Sequence, residues 1–164
     1  MAENLTANVP DIMRSIHSKH LFTIRLDVRP IIVIGATPAG FKRVGVVPGG
    51  VFEGERLTGI VLDGGSDWQT VRSDHSVMLD VRLNLKTDDG HLIAMTYKGL
   101  RAGEKEILQR IDAGEAVDPA MYYFRMNAMF ETASPKYGWL NNILALGIGS
   151  RNAKGVIYNL FEVL

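Results

Sequence analysis

The sequence predicts a mainly β protein, a single antiparallel β-barrel of about eight strands with one or two short helices. Apolar and polar residues alternate over most of its 164 residues, which is the period-two pattern of strands with one buried face. Glycine-rich joints that permit tight corners separate several of these runs. Only one segment has clear helical spacing, and no repeat or low-complexity linker divides the chain.

A two-sheet sandwich would show the same alternation with its polar face in solvent. The barrel is favoured because many strands carry scattered polar groups on their second face. A barrel whose interior holds such groups has space for one small ligand. The alternation by itself leaves both architectures open.

The N-terminal residues 1–20 predict an extension with a short helix over Pro10–Ser18, followed by a barrel domain over residues 21–164. This extension lacks the charged start and apolar run of a signal peptide. The longest apolar stretches, Ile31–Ala36 and Ile143–Gly149, are far too short to span a membrane. We therefore expect a cytoplasmic protein with no membrane partner.

The clearest strand is Val77–Leu85, in which every odd-numbered residue is apolar and every even-numbered residue except Met78 is polar. It is followed by Asp88-Asp89-Gly90, a strong hairpin signal, and then by the alternating run His91–Leu100. These two runs predict adjacent antiparallel strands. The other strands expected before this hairpin are Leu21–Val28, Arg43–Val47, Arg56–Leu62 and Trp68–Arg72.

The segment after the hairpin breaks the strand pattern. Gly103–Glu115 places Ile107, Leu108 and Ile111 at helical spacing among charged residues, and Gly114 can end such a helix. The last two predicted strands are Met121–Phe130 and Val156–Val163.

Charge and cysteine content exclude several classes of protein. Lys+Arg and Asp+Glu both number 18, and no basic stripe is present, so nucleic acid is not an expected partner. The absence of Cys excludes disulfides, thiolate metal sites and a Cys nucleophile. His17 and His20 lack a further ligand at metal spacing, and no glycine motif is typical of nucleotide binding, so we expect neither a metal nor a cofactor.

The zero net charge also bears on self-association. It gives little long-range repulsion between copies. The apolar C-terminal run Val156–Leu164 could pair or pack between them. We therefore expect a homo-oligomer, most simply a dimer.

Two predicted strands carry charged and polar residues opposite their apolar face. Asp80 and Arg82 alternate in one strand, and Tyr123 and Arg125 in another. If these faces line a lumen, the arginine fork can bind a hydroxyl or carboxylate and stabilise an enolate or phenolate. If they face solvent, the pairs contribute little. The alternation leaves both interpretations open.

Two carboxylates are candidates for proton transfer, Asp67 in a glycine-rich corner and Glu131 at the end of a strand. Burial raises the pKa of a carboxyl, which can then act as general acid or base near neutral pH. Asp67 could instead cap its turn through its side chain. Aromatic and amide residues that could line a ligand pocket are Trp68, Tyr97, Tyr137, Trp139 and Asn141, although Trp139 also suits a plug at one barrel end and Tyr97 suits the core.

Several motifs, taken in order, resemble a known family: GGVFEG at 49–54, GGSDW at 64–68, LDVRLNLKTDDGHLI at 79–93, YFR at 123–125, FET at 130–132 and YGWLNN at 137–142. From about Phe22 to its end the chain resembles the bacterial and fungal family catalogued as domain of unknown function thirty-two thirty-seven, also called uncharacterised protein family zero-three-eleven. The resemblance implies a β-barrel similar in outline to allene oxide cyclase and dirigent proteins. It implies no activity.

Two functions of different classes follow from these residues. The first is a cofactor-independent isomerase, cyclase or lyase acting on an oxygenated or aromatic small molecule. In that enzyme Asp67 or Glu131 would move protons, and Arg82 and Arg125 would stabilise negative charge on oxygen. The alternative is a non-catalytic carrier or sensor that uses the same cavity, or a structural barrel with a filled lumen. A carboxyl with a raised pKa beside a shielded void would favour the enzyme.

Overall fold

The computed structural model describes residues 4–164, which consist mostly of strand. The strands are β1 (Ser18–Asp27), β2 (Ile32–Thr37), β3 (Gly40–Val47), β4 (Gly49–Glu53), β5 (Thr58–Val61), β6 (Gly65–Val71), β7 (Val77–Thr87), β8 (Leu92–Ala102), β9 (Tyr123–Glu131), β10 (Ala145–Asn152) and β11 (Gly155–Val163). The helix α1 covers Lys105–Asp112, and 3-10 turns lie at Thr6–Asn8, Asp11–Met13, Pro119–Met121 and Gly138–Asn142.

The sheet closes into an antiparallel barrel of eight strand positions. Around the barrel the order is β7, β5, β4, β1, β11, β10, β9, β8 and back to β7. β3 runs into β4 through Pro48, and β5 is followed closely by β6, so each pair acts as one bent strand. β6 and β3 extend the sheet beside the first half of β7, and β2 pairs with β3 at the free edge. The predicted barrel is thus confirmed.

The alternation seen in the sequence sets which residues fill the barrel. Every odd-numbered residue of β7 is buried, and its polar residues Asp80, Arg82 and Asn84 face outward. At the barrel end where β7 and β8 meet, the Phe22 ring packs 5.4 Å from that of Phe52. Apolar side chains therefore occupy most of the lumen, as expected for a barrel of this size.

Glycines on the inner face of β10 make room for large neighbours. A Cβ on Gly147 would lie 2.7 Å from Sδ of Met126. One on Gly149 would lie 2.7 Å from Cε1 of Tyr158 and 2.8 Å from Cδ1 of Phe124. The lumen side of β10 is therefore a groove that receives side chains from β9 and β11.

The predicted helix after the hairpin is confirmed, because α1 lies within Gly103–Glu115 and is followed by Gly114 at φ 82°. Over Pro10–Ser18 the chain forms only the 3-10 turn and then enters β1 at Ser18. No helix within residues 4–164 has the length and apolar character needed to cross a membrane.

Three strands were not predicted, each for a local reason. β2 is a run of apolar residues exposed on both faces, and β4 begins with two glycines. β10 has only alanine and glycine at its inner positions 145, 147 and 149, so it shows no alternation of large apolar residues.

The C-terminal strand expected at a dimer contact belongs to the barrel itself. Val156, Tyr158 and Leu160 of β11 are buried inside their own chain. The outer face of β11 exposes Ile157, and that of the neighbouring strand β10 exposes Leu146 and Ile148. The homo-oligomer stays a prediction.

Candidate functional site

The polar faces of the predicted site strands lie outside the barrel. Charges without a partner are costly to bury, and the apolar faces of the same strands already fill the lumen. A position inside the lumen, one of the two interpretations, is therefore wrong for these residues. The predicted site residues on the outer face are Trp68, Asp80, Arg82, Tyr123, Arg125 and Glu131.

The outer face still brings several of these residues near one another. Two shallow grooves, of about 250 and about 370 Å³, share Lys98 and Asn127. Asp80 and Arg82 border the first, and Asp80 forms an exposed ion pair of 3.3 Å with Lys98. The second groove is lined in part by Arg125, whose guanidinium stacks on the Tyr123 ring 5.0 Å from its centroid.

Tyr137, Trp139 and Asn141 close the barrel end where β7 joins β8. The Tyr137 hydroxyl donates to Oδ1 of Asp89 over 3.0 Å, and the Asn141 side chain accepts from the Thr132 amide over 2.8 Å. Trp139 lies under the Arg56 guanidinium, 3.9 Å from the ring centroid. Each predicted ligand-binding residue here thus has a partner within the chain.

Asp89 gives this end of the barrel a pH-dependent stability. Hydrogen bonds from Lys136 first, then from Thr87 and Tyr137, hold the pKa of Asp89 well below its ordinary value of 3.8. A lowered pKa contributes stability above the ordinary value and loses it as the pH falls. We expect Asp89→Asn to lower the melting temperature near neutral pH, and the loss to shrink as the pH falls below about 3.8. The exposed Glu131→Gln variant serves as control, and a pH-independent loss would contradict this role.

The opposite end of the barrel holds a buried polar cluster, which we call the lumen cluster: Asp67 and Gln69 of β6, Tyr97 and Arg101 of β8, and Tyr158 of β11. All five side chains occupy inward positions, and that of Arg101 is only 1% exposed. The rings of Tyr97 and Tyr158 meet edge to face at 5.4 Å, and Phe124 packs edge-on against Tyr158 at 5.2 Å.

A chain of hydrogen bonds links this cluster to α1. Gln69 donates to Oδ2 of Asp67 over 2.6 Å, and Nε of Arg43 donates to Oε1 of Gln69 over 2.7 Å. The Arg43 guanidinium also binds Asp112 at 3.2 Å. The same carboxylate accepts from Arg101 over 2.7 Å. The orientation of Asp67 is therefore fixed through Oδ2.

Burial dominates the electrostatics of Asp67. It raises the pKa of this carboxyl to about 6, against the lowering effects of the Gln69 hydrogen bond, the Asp80 amide and the cations Arg101 and Arg151. Its Oδ1 atom is buried and completes no hydrogen bond. A carboxyl with this pKa exchanges its proton readily near neutral pH.

The other members of the cluster are suited to stabilise negative charge. Burial lowers the pKa of Arg101, while the Asp112 carboxylate opposes that effect, and Nε of Arg101 has no hydrogen-bond partner. Burial also raises the pKa of both Tyr97 and Tyr158, so these phenols keep their protons. Asp67 lies near enough to both tyrosines to raise the pKa of each further.

Asp67 Oδ1 and Arg101 Nε are the two buried side-chain polar atoms without a partner in the part of the chain described, residues 4–164. Buried polar atoms are nearly always satisfied, so each such exception calls for an explanation. One is an acceptor and the other a donor, and both face the same end of the lumen. Over the same residues no group of three His, Cys, Asp or Glu side chains is placed to hold a metal ion.

Of the lumen cluster, Asp67 and Tyr97 are predicted from the sequence, whereas Gln69, Arg101 and Tyr158 are not. The sequence does contain a signal for Arg101. It lies an even number of residues from Ile93, Met95 and Tyr97 on β8, so its side chain faces inward as theirs do. The predicted strand ended at residue 100, one position too early. Asp112 carried no such signal, since its partners lie on β3 and β8.

A closed antiparallel barrel with an acid, two phenols and a guanidinium at one end defines a small β-barrel protein with a buried polar site. The model of the family described as protein of unknown function, DUF3237, matches residues 16–163, and the chain belongs to that family.

Two bacterial relatives share the sequence and the fold. The UPF0311 protein RPA1785 of Rhodopseudomonas palustris is 33% identical over 150 residues, covering 92% of this chain and 98% of that protein. Its crystal structure superposes with a TM-score of 0.89 over 93% of this chain and 100% of that one. A β-barrel-like protein of Acinetobacter baumannii is 40% identical, with a TM-score of 0.81 over 96% and 99% of the two chains.

A more distant relative is named as an enzyme. The hydroalkoxylation enzyme phnH of Penicillium herquei is 27% identical over 127 residues, which cover 77% of this chain and 70% of that protein.

Proposed function

We propose that this protein is a cofactor-independent enzyme in which Asp67 transfers a proton while an oxygen nucleophile adds to an activated double bond of a small molecule, or leaves in the reverse elimination. The observation that carries the proposal is the unpartnered, buried Oδ1 of Asp67, on a carboxyl whose pKa is raised to about 6. Such a carboxyl is a competent base and acid within one catalytic cycle.

The proposed reaction needs only groups of this chain. Asp67 takes the proton of a substrate hydroxyl through Oδ1 as the hydroxyl oxygen bonds to the far carbon of a C=C conjugated to a carbonyl. The π electrons move onto the carbonyl oxygen, and the resulting enolate is stabilised by Nε of Arg101 and by a phenol of Tyr97 or Tyr158. Asp67 then returns the proton to the carbon next to the carbonyl, so the reaction consumes no cofactor or co-reactant.

The distant relative supports this reaction class. Hydroalkoxylation adds an alcohol O–H across a double bond, and phnH is named for it. The proposal assigns charge stabilisation to Arg101 in place of Arg82 and Arg125, which lie on the outer face. Proton transfer falls to Asp67 alone, because Glu131 is exposed there too.

We expect the protein to cyclise members of a panel of phenols that carry a conjugated enone ortho to the hydroxyl, such as ortho-hydroxychalcones. Because Asp67 must start as a carboxylate, kcat/KM should rise with pH and level off above about pH 6. Absorbance at the enone band measures this directly against buffer alone. A profile that follows the uncatalysed reaction at every pH would contradict the proposal, and saturable binding without turnover would support a carrier instead.

A further inference from the structure

Helix α1 lies across the barrel end that contains the lumen cluster. The Asp112 carboxylate binds Arg43 of β3 and Arg101 of β8, two strands separated in the sheet by β6 and β7. Just beyond the helix, a Cβ built on Gly114 would lie 3.7 Å from that of Ala153, in the turn between β10 and β11. The helix segment thus contacts three separated parts of the rim.

In the lumen cluster, Gln69, Tyr97, Arg101 and Tyr158 are buried and Asp67 is half-buried. Arg101 is 1% exposed, and neither its Nε nor Oδ1 of Asp67 contacts solvent. Leu108 and Ile111 of α1 are buried against the barrel core. A ligand can therefore meet the two unpartnered atoms only if a covering element moves.

Helix α1 is held by fewer interactions than the barrel strands around it. The barrel strands are bonded along both edges by backbone ladders. The helix has two turns, two buried apolar side chains, and the Asp112 ion pairs as its polar contact with the barrel. Elements with few buried contacts are the ones that open locally below the global unfolding free energy.

We propose that α1 is a lid over the ligand site, held closed by the double ion pair of Asp112, and that it opens to admit the ligand. The inference rests on the proposed function for the identity of the site, but its test requires no substrate.

A disulfide offers a direct test because the chain contains no cysteine. In the variant Gly114→Cys/Ala153→Cys, the Cβ separation of 3.7 Å suits a disulfide that fixes the lid to the rim. The matched control Gly114→Ser/Ala153→Ser has the same strain at φ 82° and forms no bond. Phenylglyoxal modification of Arg101, followed by peptide mass spectrometry, reports opening, and exposed Arg82 serves as internal reference.

We expect the disulfide to slow modification of Arg101 at least roughly tenfold relative to the serine control, because a buried group reacts through its open form. Arg82 should react at the same rate in both. Equal Arg101 rates would overturn the proposal, since the cluster would then be reached by another route.

The ion pairs are tested separately with Asp112→Asn, for which Arg101 should react about tenfold faster as the open form becomes more populated. Glu115 lies just beyond the helix end and forms an exposed ion pair with Arg110. Glu115→Gln breaks only this pair and should leave the rate of Arg101 modification unchanged. Urea unfolding separates lid opening from loss of the fold, and the disulfide variant keeps the test valid if Asp112→Asn unfolds. An unchanged Arg101 rate in a folded Asp112→Asn protein counts against the role of Asp112.

None of these rates depends on turnover, so an inactive protein with a mobile lid would contradict only the proposed function.

Discussion

Asp67→Asn is expected to slow turnover by about 10²–10⁴-fold, the usual contribution of a positioned general base, and at the same time to make the fold more stable above about pH 6. An amide has nearly the shape of the carboxyl, and its oxygen can still accept the Gln69 hydrogen bond. It cannot take a proton from a substrate hydroxyl. The two effects have one cause, because the burial that prepares Asp67 for catalysis also penalises its charge.

The sign of the stability effect follows from the pKa of Asp67 in the folded chain. The folded chain keeps this proton up to about pH 6, whereas the ordinary value of 3.8 applies once the chain unfolds. Between those values the folded state binds more protons, so stability falls as the pH rises. The total loss is about 3 kcal/mol, since each pH unit between the two pKa values is worth about 1.4 kcal/mol. Asparagine carries no charge and escapes this loss.

Urea unfolding gives the free energy of unfolding of wild type and Asp67→Asn near pH 4 and near pH 7. The quantity of interest is how the stability difference between the two proteins changes from the lower pH to the higher. The two proteins should be similar in stability at the lower pH, and the variant should be the more stable one at the higher pH. Asp80→Asn, one strand away on the outer face, is the matched control and should leave the pH dependence unchanged. If the free energies of unfolding of wild type and Asp67→Asn change with pH in parallel, ionisation of Asp67 does not destabilise the fold.

Period-two alternation was enough to predict the barrel, because each side chain on a strand faces either the lumen or the solvent. It placed Val77–Leu85 and the hairpin at Gly90 correctly. It could not decide whether the polar face of a strand was inside. Asp80 and Arg82 lie on the outer face of β7. Arg101 lies on the inward, otherwise apolar face at the end of β8.

Buried polar groups at strand ends depend on partners that are distant in sequence. Arg101 is stabilised by Asp112, and Arg43 reaches the same carboxylate across 69 residues of chain. Pairings of that separation leave no trace in local spacing. The lumen cluster could therefore be predicted only in part, through Asp67 and Tyr97.

Gly149→Ala is expected to destabilise the protein by about 1–3 kcal/mol, the usual cost of overpacking a core. Its Cβ would lie 2.7 Å from Cε1 of Tyr158 and 2.8 Å from Cδ1 of Phe124, closer than such atoms approach. The two rings already pack edge to face at 5.2 Å, so neither can move without disturbing the other. Turnover should fall as well, because Tyr158 belongs to the lumen cluster.

Gly138→Ala is the matched control, since no atom lies within 4 Å of the Cβ that it would add. It should change the free energy of unfolding by less than about 1 kcal/mol. A double-mutant cycle with Phe124→Leu identifies the cause of the Gly149 effect. If the clash with the Phe124 ring is responsible, Gly149→Ala will cost less in the Phe124→Leu background than in wild type, by about 0.5–3 kcal/mol of coupling. Strict additivity would mean that the clash with the Phe124 ring is not the cause, which would leave the contact at 2.7 Å with the Tyr158 ring to account for the loss.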